Sequence, residues 1–188
     1  MPVQISATLD HATVAELLSE LLPLTIDLGD EAHKDRYIVI EPPQLLEFVP
    51  KIGLRIQTGA QLRWTVAGVG VPFTVSSVRL LLRPVVDLDK GRLNLCIKLE
   101  DTDLKNLPKA IDRGVVSQLN ARLSARPDAL GWDYKKTLSL ELKLPAKMAP
   151  LAAFAMSAGN LEVEIDEAAL QLTLPLPMRF LRAMGRAF

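Results

Sequence analysis

The side chains that most often carry out chemistry are few in this sequence, and their spacing matches no catalytic or metal-binding pattern. His11 and His33 have no cysteine or second histidine at the spacing of a zinc ligand pair. Cys96 is the single cysteine, and it lies on the polar side of a predicted strand with Asn94 and Lys98. No sequence signature supplies a base that would activate its thiol. We therefore predict two ordinary surface histidines and an inert thiol.

Two acidic groups could act chemically, and both have a simpler interpretation. Carboxylates in the segment Glu100–Asp103 could hold a hard cation, but they also fit the solvated end of a strand. The acidic residues of Glu162–Asp166 alternate along a strand, as on the wetted face of a sheet. Acid–base catalysis would require a partner carboxylate on a second strand.

No nucleotide-binding or hydrolase motif is present in the sequence. Gly68 and Gly70 resemble part of a dinucleotide loop, but position 73 is phenylalanine and no helix is predicted to follow. A phosphate-binding loop, a zinc-protease helix and a nucleophile elbow are absent as well. The segment Trp132–Tyr134 fits either a lid over a ligand or a loop held by buried aromatic rings. We predict a protein without catalytic activity, cofactor or metal.

Composition narrows the class of partner. Lysine plus arginine and aspartate plus glutamate both total 22, so the formal net charge is zero, which argues against nucleic acid. Hydrophobic residues make up 49% and aromatic residues 5%, so the apolar surface is mainly aliphatic. There is no run of 18 apolar residues and no signal-peptide pattern at the N-terminus. These features predict one cytoplasmic domain over residues 1–188, with export followed by removal of a signal as the alternative.

The longest patterned stretch runs from Ile52 to Val66, where apolar residues occupy the even positions. Strict alternation indicates a long strand with one buried face. After Val71 the apolar residues occupy odd positions, and after Ser76–Ser77 they return to even ones, which predicts a β-bulge. Asp89–Gly91 is typical of a hairpin turn. Residues 52–99 are thus predicted to form a three-strand meander of bent strands.

A helix is predicted between Asn106 and Arg126, because apolar residues recur there every three or four positions. Its apolar stripe needs a partner surface, which the preceding meander offers. The predicted fold class is therefore α+β, with a long, strongly bent antiparallel sheet wrapped around this amphipathic helix and with short N-terminal and C-terminal helices.

The remaining segments complete that prediction. A first strand is expected near residues 3–9, followed by a helix capped by Asp10 and ended by Pro23. Further strands are expected near residues 24–28, 37–40, 138–144, 161–165 and 170–176. Gln44–Val49 is predicted as one helical turn and Pro150–Ala158 as a short alanine-rich helix.

The C-terminal segment Met178–Phe188 is predicted to be a basic amphipathic helix. Its arginines would lie on one side and its apolar residues on another, as in helices that bind membrane surfaces. The alternative is a terminal helix that docks on its own sheet.

This order of elements resembles the tubular lipid-binding (TULIP) superfamily, in particular its small bacterial members. The resemblance is carried by the meander Ile52–Leu99, the helical run Leu107–Leu123 and the strands that begin near Leu138. It implies non-catalytic binding, and possible transport, of a lipid or other apolar ligand in a groove between helix and curled sheet. A helix-grip fold is the structural alternative, although its main helix would lie near the C-terminus.

Two sets of residues are predicted to contact lipid. The expected groove residues are Leu54, Ile56, Leu62, Trp64, Leu80, Leu82, Ile111, Val115 and Leu119. The expected membrane-surface residues are Arg179, Phe180, Arg182, Arg186 and Phe188. The rival hypothesis is a protein-interaction module with a packed core, whose exposed sheet edge or C-terminal tail binds a protein partner. The sequence leaves the oligomeric state open.

Overall fold

The computed structural model describes residues 2–29, 36–66, 69–102, 109–125 and 130–182. Within these ranges the chain is mostly antiparallel β-structure, arranged in two sheets with three α-helices. Side chains at a few positions inside these ranges, including residues 64–66 and 109–115, are not described.

The larger sheet has six strands in the order β2-β3-β4-β5-β6-β7, so each strand lies beside its neighbour in the chain. Its strands are β2 Leu24–Asp27, β3 Tyr37–Val49, β4 Gly53–Val66, β5 Val69–Asp87, β6 Arg92–Thr102 and β7 Gly131–Asp133. The predicted three-strand meander is confirmed as β4, β5 and β6, all antiparallel.

A β-bulge lies where the change of parity predicted it. Ala60 pairs with Val75 and Thr58 pairs with Val78, so Ser76 and Ser77 together oppose the single residue Gly59. The extra residue keeps the apolar side chains of β5 on the inner face and increases the local bend of the strand. The result is a sheet that curls into a half-barrel.

The smaller sheet is built around one long strand, β11. Its strands are β1 Pro2–Asp10, β8 Leu140–Lys143, β9 Leu151–Met156, β10 Glu162–Ile165 and β11 Ala169–Arg182. β1 pairs along one edge of β11. On the other edge, β10 pairs with the first part of β11 and β9 pairs with its last part. Backbone bonds from Ser157 to Pro177 and from Gly159 to Pro175 bridge the gap, so β9 and β10 run as one interrupted strand beside β11. β8 pairs with β9 at the outer edge.

The three α-helices are α1 His11–Leu21, α2 Lys109–Ser124 and α3 Tyr134–Leu138. The predicted cap of α1 is confirmed, because the Asp10 carboxylate accepts a 2.9 Å hydrogen bond from the Thr13 N–H. α1 buries Val14 and Leu18 against the concave side of the larger sheet.

The predicted wrapping of the sheet around a long amphipathic helix is wrong. α2 has 16 residues and lies along β6, and its described side chains contribute Leu119 and Leu123 to the core. The concave face of the larger sheet is instead covered jointly by α1, by these two leucines and by Ile165 and Leu170 of the smaller sheet. The apolar stripe of α2 suggested a central helix, but strands distant in the sequence compete for the same surface.

Three segments predicted as helical are strands. Gln44–Val49 belongs to β3, Pro150–Ala158 contains β9, and residues 178–182 of the predicted C-terminal helix belong to β11. β9 lies between β8 and β11, so backbone bonds on both sides outweigh the helix propensity of its alanines. Residues 183–188 lie outside the described part of the chain.

The two sheets share one main core and a smaller second cluster. The main cluster joins α1, the larger sheet, α2 and the residues Ile165 and Leu170. The second cluster is centred on the fully buried Tyr134, with Leu161, Leu174 and Leu176 around it. The Lys51 N–H also donates a 3.0 Å bond to the Ile165 carbonyl, which connects the β3–β4 turn to β10.

Asn120 of α2 satisfies the backbone of β6 at Leu99, beyond the residues of β6 that pair with β7. Its side-chain amide donates to the Leu99 carbonyl at 2.8 Å, and its side-chain oxygen accepts from the Leu99 N–H at 2.7 Å. These two bonds replace those that a neighbouring strand would make. The helix therefore both contributes to the core and blocks an edge that could otherwise pair with another chain.

We predict that Asn120→Ala lowers the free energy of unfolding by about 1–3 kcal/mol, because a half-buried strand amide and carbonyl lose their partners. Urea denaturation measures the change. Gln118→Ala, at an exposed position of the same helix, is the matched control. Equal stability of the two variants would contradict the role assigned to Asn120.

Candidate functional site

The predicted groove residues whose side chains are described lie together in the main core. They are Leu54, Ile56, Leu62, Leu80, Leu82 and Leu119. Leu80 has an exposed fraction of 0%. Where these side chains are described, the inner face of the curled sheet is therefore covered by the protein itself.

A small void remains beside these residues, between α1 and the larger sheet. Its walls include Leu18 and Leu21 of α1 together with Ile56, Leu80 and Leu82 of the sheet. Its volume is about 10 Å³, which is near the lower limit for a single water molecule. An acyl chain would have to displace α1 to reach this place.

The other predicted groove residues are Trp64, Ile111 and Val115. Their side chains lie outside the described part of the structure, although their backbones belong to β4 and α2. Arg186 and Phe188, predicted at a membrane surface, also lie outside the described residues.

An apolar surface is formed by three strands of the smaller sheet, β8, β9 and β11. Leu140 of β8, Met156 of β9 and Met178 of β11 lie opposite one another across three strands. Leu142, Phe154 and Phe180 form the next row on the same face, because they follow or precede the first row by two residues. We call these six residues the apolar strip.

The apolar strip continues the buried face of the smaller sheet into solvent. Leu174 and Leu176 of β11 point to the same face and are buried in the second cluster. Beyond them the cover ends, and the exposed fraction rises to 40% at Met178, 50% at Leu142 and 58% at Phe180. The rings of Phe154 and Phe180 contact each other at a centroid distance of 5.6 Å.

Basic residues flank the apolar strip on both outer strands. Lys143 lies on β8, Arg179 and Arg182 lie on β11, and Lys147 lies in the 3-10 turn Ala146–Met148; all four are exposed. Residues 140–156 and 178–182 contain these four cations and one carboxylate, Glu141. Lys143 and Arg179 alternate with strip residues, so their side chains leave the backbone on the opposite face of the sheet. Both side chains are long enough to reach around the edge of the sheet toward the strip.

Part of this surface was predicted from sequence, and part was missed. Phe180, Arg179 and Arg182 were predicted as surface residues, although on a helix. The two strands that complete the strip were not connected to them, because Pro150–Ala158 was interpreted as a helix. The period-two pattern of Leu140, Leu142 and Leu144 was visible, but a sequence does not state that such a strand lies beside residues 151–156.

A second, more polar cleft lies between the sheets. It has a volume of about 480 Å³, and its walls include Lys51, Ile52, Pro84, Glu164 and Asp166. Hydrogen bonds from the backbone N–H groups of Ala168 and Ala169 hold the pKa of Asp166 below its ordinary value. The Asp166 carboxylate thus accepts hydrogen bonds within the β10–β11 turn, which favours a structural role for this residue.

The convex face of the larger sheet carries an ion-pair network. Arg55 donates to Glu100 at 2.7 Å and to Glu47 at 3.1 Å, and these bonds raise the pKa of the Arg55 guanidinium. Glu100 therefore pairs across the sheet with an arginine. Such exposed ion pairs contribute little to stability.

The described histidine and the cysteine do not form a catalytic or metal-binding group. A His11 ring nitrogen lies 2.8 Å from the Leu46 carbonyl, so this side chain connects α1 to β3. Cys96 is a half-buried free thiol. Among the described residues, no three histidine, cysteine, aspartate or glutamate side chains are grouped as metal ligands. No helix among them is both long enough and apolar enough to cross a bilayer.

Comparison with models of known protein families and with curated proteins finds no match to this chain. The resemblance to the tubular lipid-binding superfamily therefore stays a prediction from the order of elements.

We predict that Leu80→Ala lowers the free energy of unfolding by about 2–5 kcal/mol, because it removes a fully buried side chain from a filled core. Urea denaturation measures the loss. Leu45→Ala, at a leucine with an exposed fraction of 60%, should change the same quantity by less than about 1 kcal/mol. A small loss at Leu80 would indicate that the interior is a loosely filled ligand space.

Proposed function

We propose that this protein is a non-catalytic lipid-binding protein, and that it binds anionic lipid surfaces through the apolar strip. The observation that carries the proposal is the unburied apolar face of β8, β9 and β11, with exposed cations on both outer strands. Contiguous exposed apolar surface of this kind marks sites of interaction with membranes or proteins.

The composition of the strip fits the boundary between acyl chains and headgroups. Leu140, Leu142, Met178 and Phe180 are each at least 40% exposed, so they can still lose a substantial apolar area to water. Removal of apolar area from water contributes about 25 cal/mol per Å². Each lysine or arginine near an anionic surface adds about 1 kcal/mol. These terms favour weak, reversible binding that depends on salt.

This site differs from the groove that the superfamily resemblance implies. The void among the expected groove residues has a volume of about 10 Å³, so the present conformation favours binding at the outer face. Non-catalytic binding of a lipid or apolar ligand remains the proposal, with the apolar strip as its location.

The rival function is a protein-interaction module. The filled interior favours it, because a protein-interaction module needs no internal cavity for a ligand. A protein partner and a lipid surface make different demands on charge, since phosphate-rich membranes attract cations over a wide area.

We predict that the protein co-sediments with vesicles of phosphatidylcholine and phosphatidylserine, and that binding weakens as salt rises. The double variant Leu142→Ser with Phe180→Ser should bind more weakly by a factor of about ten or more, because two strip side chains no longer insert. Leu45→Ser, at an exposed leucine on β3, is the matched control and should bind normally.

Each other outcome counts against the proposal. If the wild-type protein fails to bind vesicles at low salt, a lipid-surface function is wrong and the interaction module is favoured. If the double variant folds and binds as well as the control, the membrane contact lies elsewhere on the protein.

A further inference from the structure

β1 is an exposed edge strand without the usual protection against pairing. Among the described elements it pairs only with β11, and Gln4, Ser6 and Thr8 are exposed. No charged residue occurs from Val3 to Leu9. Natural edge strands are usually shortened, charged, bulged or covered.

The backbone groups that face the open edge can be identified from β11. The carbonyls of Pro175 and Pro177 accept bonds from Gly159 and Ser157, so they point away from β1. Gln4 lies opposite Pro175. Because Pro175 directs its carbonyl away and has no N–H, the N–H and C=O of Gln4 must point outward, and alternation extends this to Ser6 and Thr8.

We propose that β1 pairs in antiparallel fashion with β1 of a second copy of this chain, with Ser6 opposite Ser6. In this register Gln4 lies opposite Thr8, so the three outward residues of each copy exchange backbone bonds with their partners. A symmetric pair of strands is an isologous two-fold interface, which is the commonest form of homo-oligomer.

Both faces of β1 match themselves in this register. On the apolar face, Val3 would lie opposite Leu9 and Ile5 opposite Ala7 of the second copy. On the polar face, the pairs are Gln4 with Thr8 and Ser6 with Ser6. No like charges would lie opposite each other, since residues 3–9 carry no charge.

The second copy would cover apolar side chains that β11 leaves exposed. Val3 and Ile5 have exposed fractions of 42% and 47%, although the residues opposite them on β11, Leu176 and Leu174, are buried. Added strands would place Leu9 and Ala7 of the partner beside them. The sheet then continues through the interface from β11 and β1 of one copy to β1 and β11 of the other.

The other described edges are less suited to self-pairing. Asn120 occupies the backbone of Leu99 on β6. β8 has four residues and carries both Glu141 and Lys143, and β2 has four residues. β1 is therefore the longest uncharged edge among the described strands, and its sequence favours a second copy over an unrelated strand.

A charge-swap experiment tests the proposal, which rests on the edge geometry and not on lipid binding. Sedimentation equilibrium should detect a concentration-dependent dimer of the wild-type protein. Ser6→Lys and Ser6→Glu should each weaken it about tenfold or more, because each places like charges opposite each other. An equimolar mixture of the two variants should recover the dimer as a heterodimer. Ser124→Lys, at an exposed position of α2, is the control and should dimerise normally.

Disulfide trapping tests the register in a Cys96→Ser background. Ser6→Cys should form a cross-linked dimer on mild oxidation, since two copies of this position face each other. Gln4→Cys and Thr8→Cys should not cross-link alone but should cross-link when mixed. A wild-type monomer at all concentrations would overturn the proposal. A dimer that resists both charge variants, or that cross-links through Gln4→Cys alone, would overturn the assigned interface.

Discussion

The pairing of β5 with β4 on one side and β6 on the other determines the curl of the larger sheet and what must cover it. β5 spans Val69–Asp87, and its bulge at Ser76–Ser77 keeps leucine and valine side chains on one face across a bend. The resulting curl creates a concave apolar surface that α1, the end of α2 and one end of the smaller sheet must cover. Because that cover uses only part of the smaller sheet, the apolar strip and the outer edge of β1 are left exposed. The core and the proposed binding surfaces are thus consequences of one arrangement of strands.

Much of this arrangement could be predicted from sequence wherever the evidence is local. The alternation in β4, the change of parity at Ser76–Ser77 and the cap at Asp10 each act within a few residues, and the structure confirms them. The pairing of β9 with β8 and β11 could not be predicted in this way, because it depends on partners distant in the chain. Alanine-rich β9 and the arginine-containing end of β11 satisfy helical patterns as well as strand patterns, and only tertiary pairing decides between them. For the same reason, Phe180 could be predicted as a surface residue, but its contact with Phe154 on the neighbouring strand could not.

The filled interior changes the meaning of the predicted groove residues. Their aliphatic character suits a lipid cavity, but the same side chains also make a close-packed core, and the void of about 10 Å³ favours the second use in this conformation. The lipid hypothesis then depends on the outer apolar strip and its flanking cations. In the proposed dimer, the two-fold axis would stand perpendicular to the shared sheet, because directly opposed residues of paired strands share a face. The apolar strips of both copies would therefore face the same side.

Hydrogen–deuterium exchange of the protein with and without anionic vesicles distinguishes lipid bound at the apolar strip from lipid held inside the curled sheet. Binding at the apolar strip should slow exchange in residues 140–143, 151–156 and 178–182, where lipid would cover the strip and its strands. Exchange in α1, β4 and β5 should stay unchanged, because the core remains closed. Faster exchange in α1, altered exchange in β4 and β5, and unchanged exchange in the strip would contradict binding at the outer face. That result would show that lipid enters the interior of the curled sheet.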